Sequence, residues 1–94
     1  MDILKLVVEF LVARHAELKP LLPDCEHFTL LPPGKRKIGY QKATFTADRW
    51  EINIDHAVTP LTIYNVSANY KHGEIEWRGN VADGCVKEEK YAKA

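Results

Sequence analysis

The chain has 94 residues, a length that fits one domain, and 46% of its residues are hydrophobic while 28% are charged. This balance is typical of a folded globular domain and unlike that of a disordered chain. Thirteen basic side chains match thirteen acidic ones, so the chain lacks the basic excess of most nucleic-acid-binding domains. We therefore expect a single domain over residues 1–94, and nucleic acid is not the expected partner.

The N-terminal segment has the pattern of a helix over residues 2–19. Asp2 can cap the first turn, and Pro20 blocks continuation because proline lacks the amide donor. Apolar residues recur at the three- and four-residue spacing of a helix face. Three further apolar residues widen this face beyond what one sheet would cover: Leu4, Val8 and Val12.

The same N-terminal segment also indicates the cellular compartment of the protein. Its apolar run is far shorter than the ~20 residues of a membrane span, and Lys5 and Glu9 interrupt it. No cleavage pattern of a signal peptide follows it. We therefore expect a cytoplasmic protein with no membrane partner.

The hydrophobic period changes after a proline-rich connector at residues 20–34, which holds at most one short strand, over residues 27–31. Over residues 36–81 apolar and polar side chains alternate, as they do around Trp50 and Ile52. Period-two alternation is typical of half-buried antiparallel strands. The sequence therefore predicts a β-meander over this range.

The turns set the expected registers. A turn at residues 72–73 would pair Tyr70 with Ile75, and the preceding loop would place Ile54 opposite Tyr64. Because a slip of one residue would reverse the faces of a strand, apolar partners on every hairpin support these registers.

The first hairpin needs an extra assumption. A turn at residues 47–48 would pair Phe45 with Trp50, and a β-bulge at residues 41–42 would then keep Tyr40 on the apolar face. The predicted fold class is α+β: an N-terminal helix packed on one face of a curved antiparallel meander of four strands, or five. Residues 86–94 are predicted to form a short C-terminal helix or a tail, since they are rich in Lys, Glu and Ala.

The candidate chemistry is sparse. Cys25 and His27 lie at ligand spacing, but no second pair completes a zinc site, and Cys85 stands far away in the chain. The basic cluster at residues 35–37 could bind phosphate, but charges at the entry of an edge strand also discourage aggregation. We therefore predict no metal, no cofactor and no catalytic residue.

Two functional hypotheses follow. The leading one is a small non-catalytic interaction or accessory module, with a protein or a second copy of the chain as partner, so an enzyme is not favoured. Its candidate interface residues are Leu4, Val8, Val12, Leu61 and Ile63. The alternative is a binder of a small apolar ligand, or a small enzyme, with an aromatic-lined pocket between helix and sheet. The candidate residues of that pocket are Tyr40, Trp50, His56, Tyr64 and Trp77.

Overall fold

The computed structural model describes residues 2–32, 40–57 and 63–94, apart from the side chains of Tyr40, Gln41 and Ala57. One helix, α1, spans Ile3–Arg14, and the strands in these ranges are β1 (Thr29–Leu30), β2 (Tyr40–Ala47), β3 (Trp50–Ala57), β4 (Ile63–Tyr70), β5 (Ile75–Ala82) and β6 (Cys85–Lys93). They form one antiparallel sheet in chain order. The α+β class is confirmed, with six strands rather than four or five.

Helix α1 is shorter than predicted. It begins where the Asp2 carboxylate accepts a hydrogen bond from the Lys5 amide at 3.1 Å, as expected of a cap. It ends at Arg14, five residues before the predicted end, because the backbone of His15 leaves the helical conformation. A short 3-10 helix at Ala16–Leu18 follows and carries Leu18 into the core, where it is fully buried. In the described part of the chain, no helix is long and apolar enough to cross a membrane.

The hairpin of β4 and β5 has the predicted register. Tyr70 pairs with Ile75, and Ala68 pairs with Trp77. The connecting turn has left-handed backbone at three consecutive residues, Lys71, His72 and Gly73. The φ of Gly73 is +91°, which glycine adopts readily. The sequence therefore located this hairpin correctly.

The β2–β3 hairpin is shifted by two residues from its predicted register. Its turn lies at residues 48–49, where Asp48 adopts a φ of +52°, so that Phe45 pairs with Ile52 instead of Trp50. Pairing continues unbroken to Tyr40, which lies opposite Ala57, and the predicted bulge at residues 41–42 is wrong. A shift of two residues leaves the described side chains from Lys42 onward on their predicted faces, but without the bulge the predicted placement of Tyr40 on the apolar face no longer follows.

The β3–β4 register is shifted by two residues in the same way. Ile54 pairs with Val66 rather than Tyr64, and Trp50 pairs with Tyr70. The apolar face of the sheet is unaffected, since the period of a strand is two.

The C-terminal segment is a strand, so the predicted helix or tail at 86–94 is wrong. Asp83 and Gly84 both have positive φ, the backbone of a tight hairpin turn, and they return the chain along β5. A ladder of nine residues outweighs the weak helix preference of Lys, Glu and Ala. Regular pairing from this turn places Glu88 across from Gly79, and a bulge opposite residues 78–79 then places Tyr91 across from Trp77, so that both Glu88 and Tyr91 lie on the face that α1 covers.

The core lies between α1, the connector and one face of the sheet. Its buried residues are Ile3, Leu4, Val7, Val8, Leu11, Leu18, Leu22, Trp50, Ile52, Ile54, Val66, Ala68, Ile75, Trp77 and Val81. Leu22 of the connector is part of this core, and Cys25 and Phe28 pack against it. Leu4 and Val8, two of the candidate interface residues, are each only 7% exposed. A single chain therefore covers the broad apolar face of its own helix.

Candidate functional site

Two of the predicted pocket residues fill the core. Trp50 and Trp77 are 2% and 0% exposed, respectively. The indole N–H of Trp50 donates to the carbonyl of Leu21 at 3.0 Å, and that of Trp77 donates to Glu88 Oε1 at 2.9 Å. A buried indole with its N–H satisfied is a packing residue.

The other predicted pocket residues lie elsewhere on the sheet. The rings of His56 and Tyr64 stack with their centroids 4.3 Å apart. His56 lies six residues along β3 from Trp50, which corresponds to about 20 Å along the strand. Tyr40 pairs with Ala57 through its backbone, and its side chain lies outside the described part of the structure. The structure thus brings His56 and Tyr64 together and separates them from Trp50.

The second face of the sheet, here called the open face, points away from α1 and the connector. Strand alternation assigns its described side chains on β2 to β6. They are Lys42, Thr44, Thr46, Glu51, Asn53, Asp55, Ile63, Asn65, Ser67, Asn69, Glu76, Arg78, Asn80, Ala82, Cys85, Lys87, Glu89, Lys90 and Ala92. The central positions of the open face carry mainly amides and hydroxyls.

The charges of the open face balance. Its four basic side chains are Lys42, Arg78, Lys87 and Lys90, and its four acidic ones are Glu51, Asp55, Glu76 and Glu89. Several are paired across strands: Lys90 Nζ lies 3.1 Å from Glu76 Oε2, and Asn80 donates to Glu89 at 3.1 Å. Thr44 donates to Asn53 at 2.7 Å in the same manner. Among the described residues of this face the charges cancel, so these residues give no net attraction for a phosphate backbone.

One end of the open face is apolar. Ile63 is 41% exposed and pairs with Ala82, which in turn pairs with the exposed Cys85. Of the remaining candidate residues, Leu61 and the basic cluster at 35–37 lie outside the described residues. Val12 is partly buried against the core.

A cluster of ionisable side chains joins the end of α1 to β5 and β6, and we call it the His15–Glu88 junction. Nε2 of His15 bonds with Glu88 Oε1, and Nδ1 lies 3.7 Å from Glu17 Oε1. The His15 ring stacks on Tyr91 with a centroid distance of 3.6 Å. Tyr91 in turn donates its hydroxyl to Glu17 at 3.0 Å. Two segments that are far apart in the sequence, the end of α1 and strand β6, therefore meet here.

The junction alters the ionisation of two of its members. Burial alone would raise the pKa of Glu88, but hydrogen bonds from His15 and Trp77 and the positive charges of His15 and Arg14 outweigh it, so the pKa is lowered. Burial raises the pKa of Tyr91 to about 12, with further contributions from its bond to Glu17 and from the charge of Glu88. The folded state thus favours a charged Glu88 and a neutral Tyr91.

Sequence reasoning missed Glu88 and Tyr91 because it assigned both to a helix or tail. The signal that could have found them is Asp83-Gly84, since Asp-Gly is a preferred pair in two-residue hairpin turns. The described residues contain no group of three or more His, Cys, Asp or Glu side chains placed to hold a metal ion.

Comparison of the chain with protein-family models, with curated proteins and with solved structures finds no match.

Proposed function

We propose that the protein is a small non-catalytic interaction module, an adaptor or accessory protein, which binds a protein partner through its open face. The observation that carries this proposal is the composition of that face. Asn53, Asn65, Ser67 and Asn80 occupy its centre, with four basic and four acidic side chains around them.

The size of the open face favours a macromolecular partner. Five strands of eight or nine residues present a surface on the order of 600 Å². This approaches the ~800 Å² that one partner contributes to an ordinary protein–protein interface. A small ligand would need a concave site instead.

The chemistry of the open face favours protein over nucleic acid. Balanced charges offer no net attraction to phosphates, and the side chains described on this face include no aromatic ring for base stacking. Amides, hydroxyls and mixed charges can instead form the hydrogen bonds typical of a protein interface. The apolar end of the face around Ile63 could add a hydrophobic contact that loses its water when the partner binds.

The alternative, a pocket for a small apolar ligand between helix and sheet, has less support. It would need the rings of Trp50 and Trp77 to line a space, whereas both are fully packed within the core. Of the other candidate residues, Tyr64 packs against the core cluster, and His56 stacks on the Tyr64 ring.

Site-specific photo-cross-linking in cells tests the proposal. A photoreactive residue at Asn65, exposed on the open face, is compared with one at Lys5, exposed on α1. We expect a discrete cross-linked species from position 65 and none from position 5. A product of two copies of the chain would identify self-association through the same face. Equal products from both positions, or none from position 65, would contradict the proposal.

Quantitative binding to the cross-linked partner completes the test. Asn65→Arg adds bulk and charge at the centre of the face and is expected to weaken binding at least about tenfold. Lys5→Glu serves as the matched surface control and should leave the affinity unchanged. Both variants should melt like the native protein, because both positions are exposed.

A further inference from the structure

The His15 ring is held between two carboxylates. Nε2 bonds with Glu88, and Nδ1 lies 3.7 Å from Glu17, while the His15 and Glu88 side chains are only 13% and 18% exposed. A charged imidazolium offers a donor on each nitrogen, whereas a neutral imidazole has one donor and one acceptor. The charged ring attracts both carboxylates, whereas a neutral ring that donates to Glu88 turns a lone pair toward Glu17.

We propose that the His15–Glu88 junction is a pH-sensitive latch between the end of α1 and the edge strand β6, closed while His15 is positively charged and Glu88 is negatively charged. Histidine is the side chain type whose charge changes near neutral pH. As the pH rises, loss of the imidazolium leaves one carboxylate facing a ring lone pair. As the pH falls far enough, protonation of Glu88 removes the other half of the ion pair.

The neighbouring groups do not replace this pair. Among the described residues, the charged or titratable groups placed against His15 and Glu88 are Arg14 and Glu17 from the helix end and Tyr91 from β6. The Arg14 guanidinium lies 3.7 Å from Glu88 Oε2, but its side chain is 64% exposed, and so solvent screens it. Tyr91 is neutral at the pH values concerned, because burial raises its pKa to about 12.

The position of the latch limits what its opening changes. Strand β6 is the outermost strand of the sheet and pairs with β5. Opening would release the contact of β6 with α1 and would leave the central strands β3 and β4 in place. Local opening of a peripheral element is commonly less costly than global unfolding.

The two tryptophans supply a test in the unmodified protein. The Trp77 indole N–H donates to Glu88, whereas the Trp50 indole N–H donates to the backbone carbonyl of Leu21. In a proton NMR titration between about pH 4 and pH 9, we expect the Trp77 indole signal to move with the charges of Glu88 and His15. The Trp50 indole signal should stay in place. A Trp77 signal that does not move, or that moves only as much as that of Trp50, would overturn the proposal.

Hydrogen exchange locates the opening. We expect protection factors of β6 amides, corrected for intrinsic exchange, to be highest where both charges are present and to fall about tenfold on either side. Those of β3 and β4 should change much less.

Variants then link this pH dependence to the latch. His15→Gln should remove the fall in protection at high pH, and Glu88→Gln should remove the fall at low pH, because in each variant one of the two groups can no longer ionise. Glu76→Gln, which breaks the exposed ion pair with Lys90 between β5 and β6, should retain the native pH dependence. Retention of the native pH profile in His15→Gln would refute the latch, and if that variant does not fold, the indole titration decides alone.

Discussion

The indole ring of Trp77 lies directly over Gly79, two residues along the same strand. A Cβ placed on Gly79 would come within 2.5 Å of Cη2 of Trp77 and closer still to the carbonyl oxygen of Lys87 on β6. Only glycine therefore allows the ring to lie flat over β5 beside the bulge of β6. Gly79 is thus closely approached by the Trp77 ring of its own strand and by the backbone of β6, the strand that carries Glu88.

Gly79→Ala should be strongly destabilising for that reason. Since one clashing atom belongs to backbone, relaxation is limited, and we expect a loss of about 3 kcal/mol in the free energy of unfolding. Gly73→Ala is the matched control: nothing lies within 4 Å of its added Cβ, and its cost of about 1–2 kcal/mol would come from a φ of +91° alone. Urea unfolding followed by tryptophan fluorescence measures both. A Gly79→Ala variant as stable as the native protein would contradict the packing described here.

Stability should depend on pH through Glu88. Its pKa is lowered in the folded state, so its contribution is fully present above the ordinary glutamate pKa of 4.5 and is lost as the pH falls through the folded-state value. The native protein should therefore lose more stability than Glu88→Gln between neutral pH and the acid range. Urea midpoints of both proteins across that range check this, and parallel profiles would exclude the stated role of Glu88.

Tyr91 should make the stability of the protein depend on pH in the alkaline range. Its pKa is raised from 10.0 to about 12, so its contribution is present below pH 10 and declines as the pH rises toward 12. The stability advantage of the native protein over Tyr91→Phe should shrink across this interval. Tyr70→Phe is the control, because it also removes one tyrosine hydroxyl while keeping the aromatic ring. The prediction fails if the difference between native protein and Tyr91→Phe is constant.

Val8→Glu should unfold the protein rather than dissociate a dimer. Val8 is 7% exposed, and a carboxylate there would be buried without a partner, at a cost of about 3–5 kcal/mol. Ile63→Glu, at a position that is 41% exposed, should change stability by less than about 0.5 kcal/mol. Circular dichroism melts separate the two outcomes. If Val8→Glu stays folded with an unchanged melting temperature, the burial of the helix face is wrong.

The two thiols should differ in reactivity. Cys85 is exposed on β6, while Cys25 is partly buried and packs against the core. A thiol-specific chromogenic reagent should modify Cys85 at least about tenfold faster, since access limits the reaction of a covered thiol. Cys85→Ser should remove the fast phase, and urea should make both thiols react alike. A fast phase that persists in Cys85→Ser would contradict this assignment.

Local pattern sufficed for the faces of the strands. The alternation around Trp50 and Ile52 assigned the core side correctly even though the register of β3 was shifted by two residues, because a shift of two preserves every face. The Asp2 cap was equally readable, since its hydrogen bond to the Lys5 amide spans three residues.

Long-range pairing determined the rest. Residues 86–94 are a strand because β5 offers them a ladder, and their own composition gives no such indication. The junction depends on the same pairing: regular pairing with β5 turns Glu88 toward α1, where it meets His15 from 73 positions away in the chain, and the bulge opposite residues 78–79 brings Tyr91 to the same face. Alternation along a strand is a local property of the backbone, whereas contacts at such separation exist only once the whole sheet has closed against its helix.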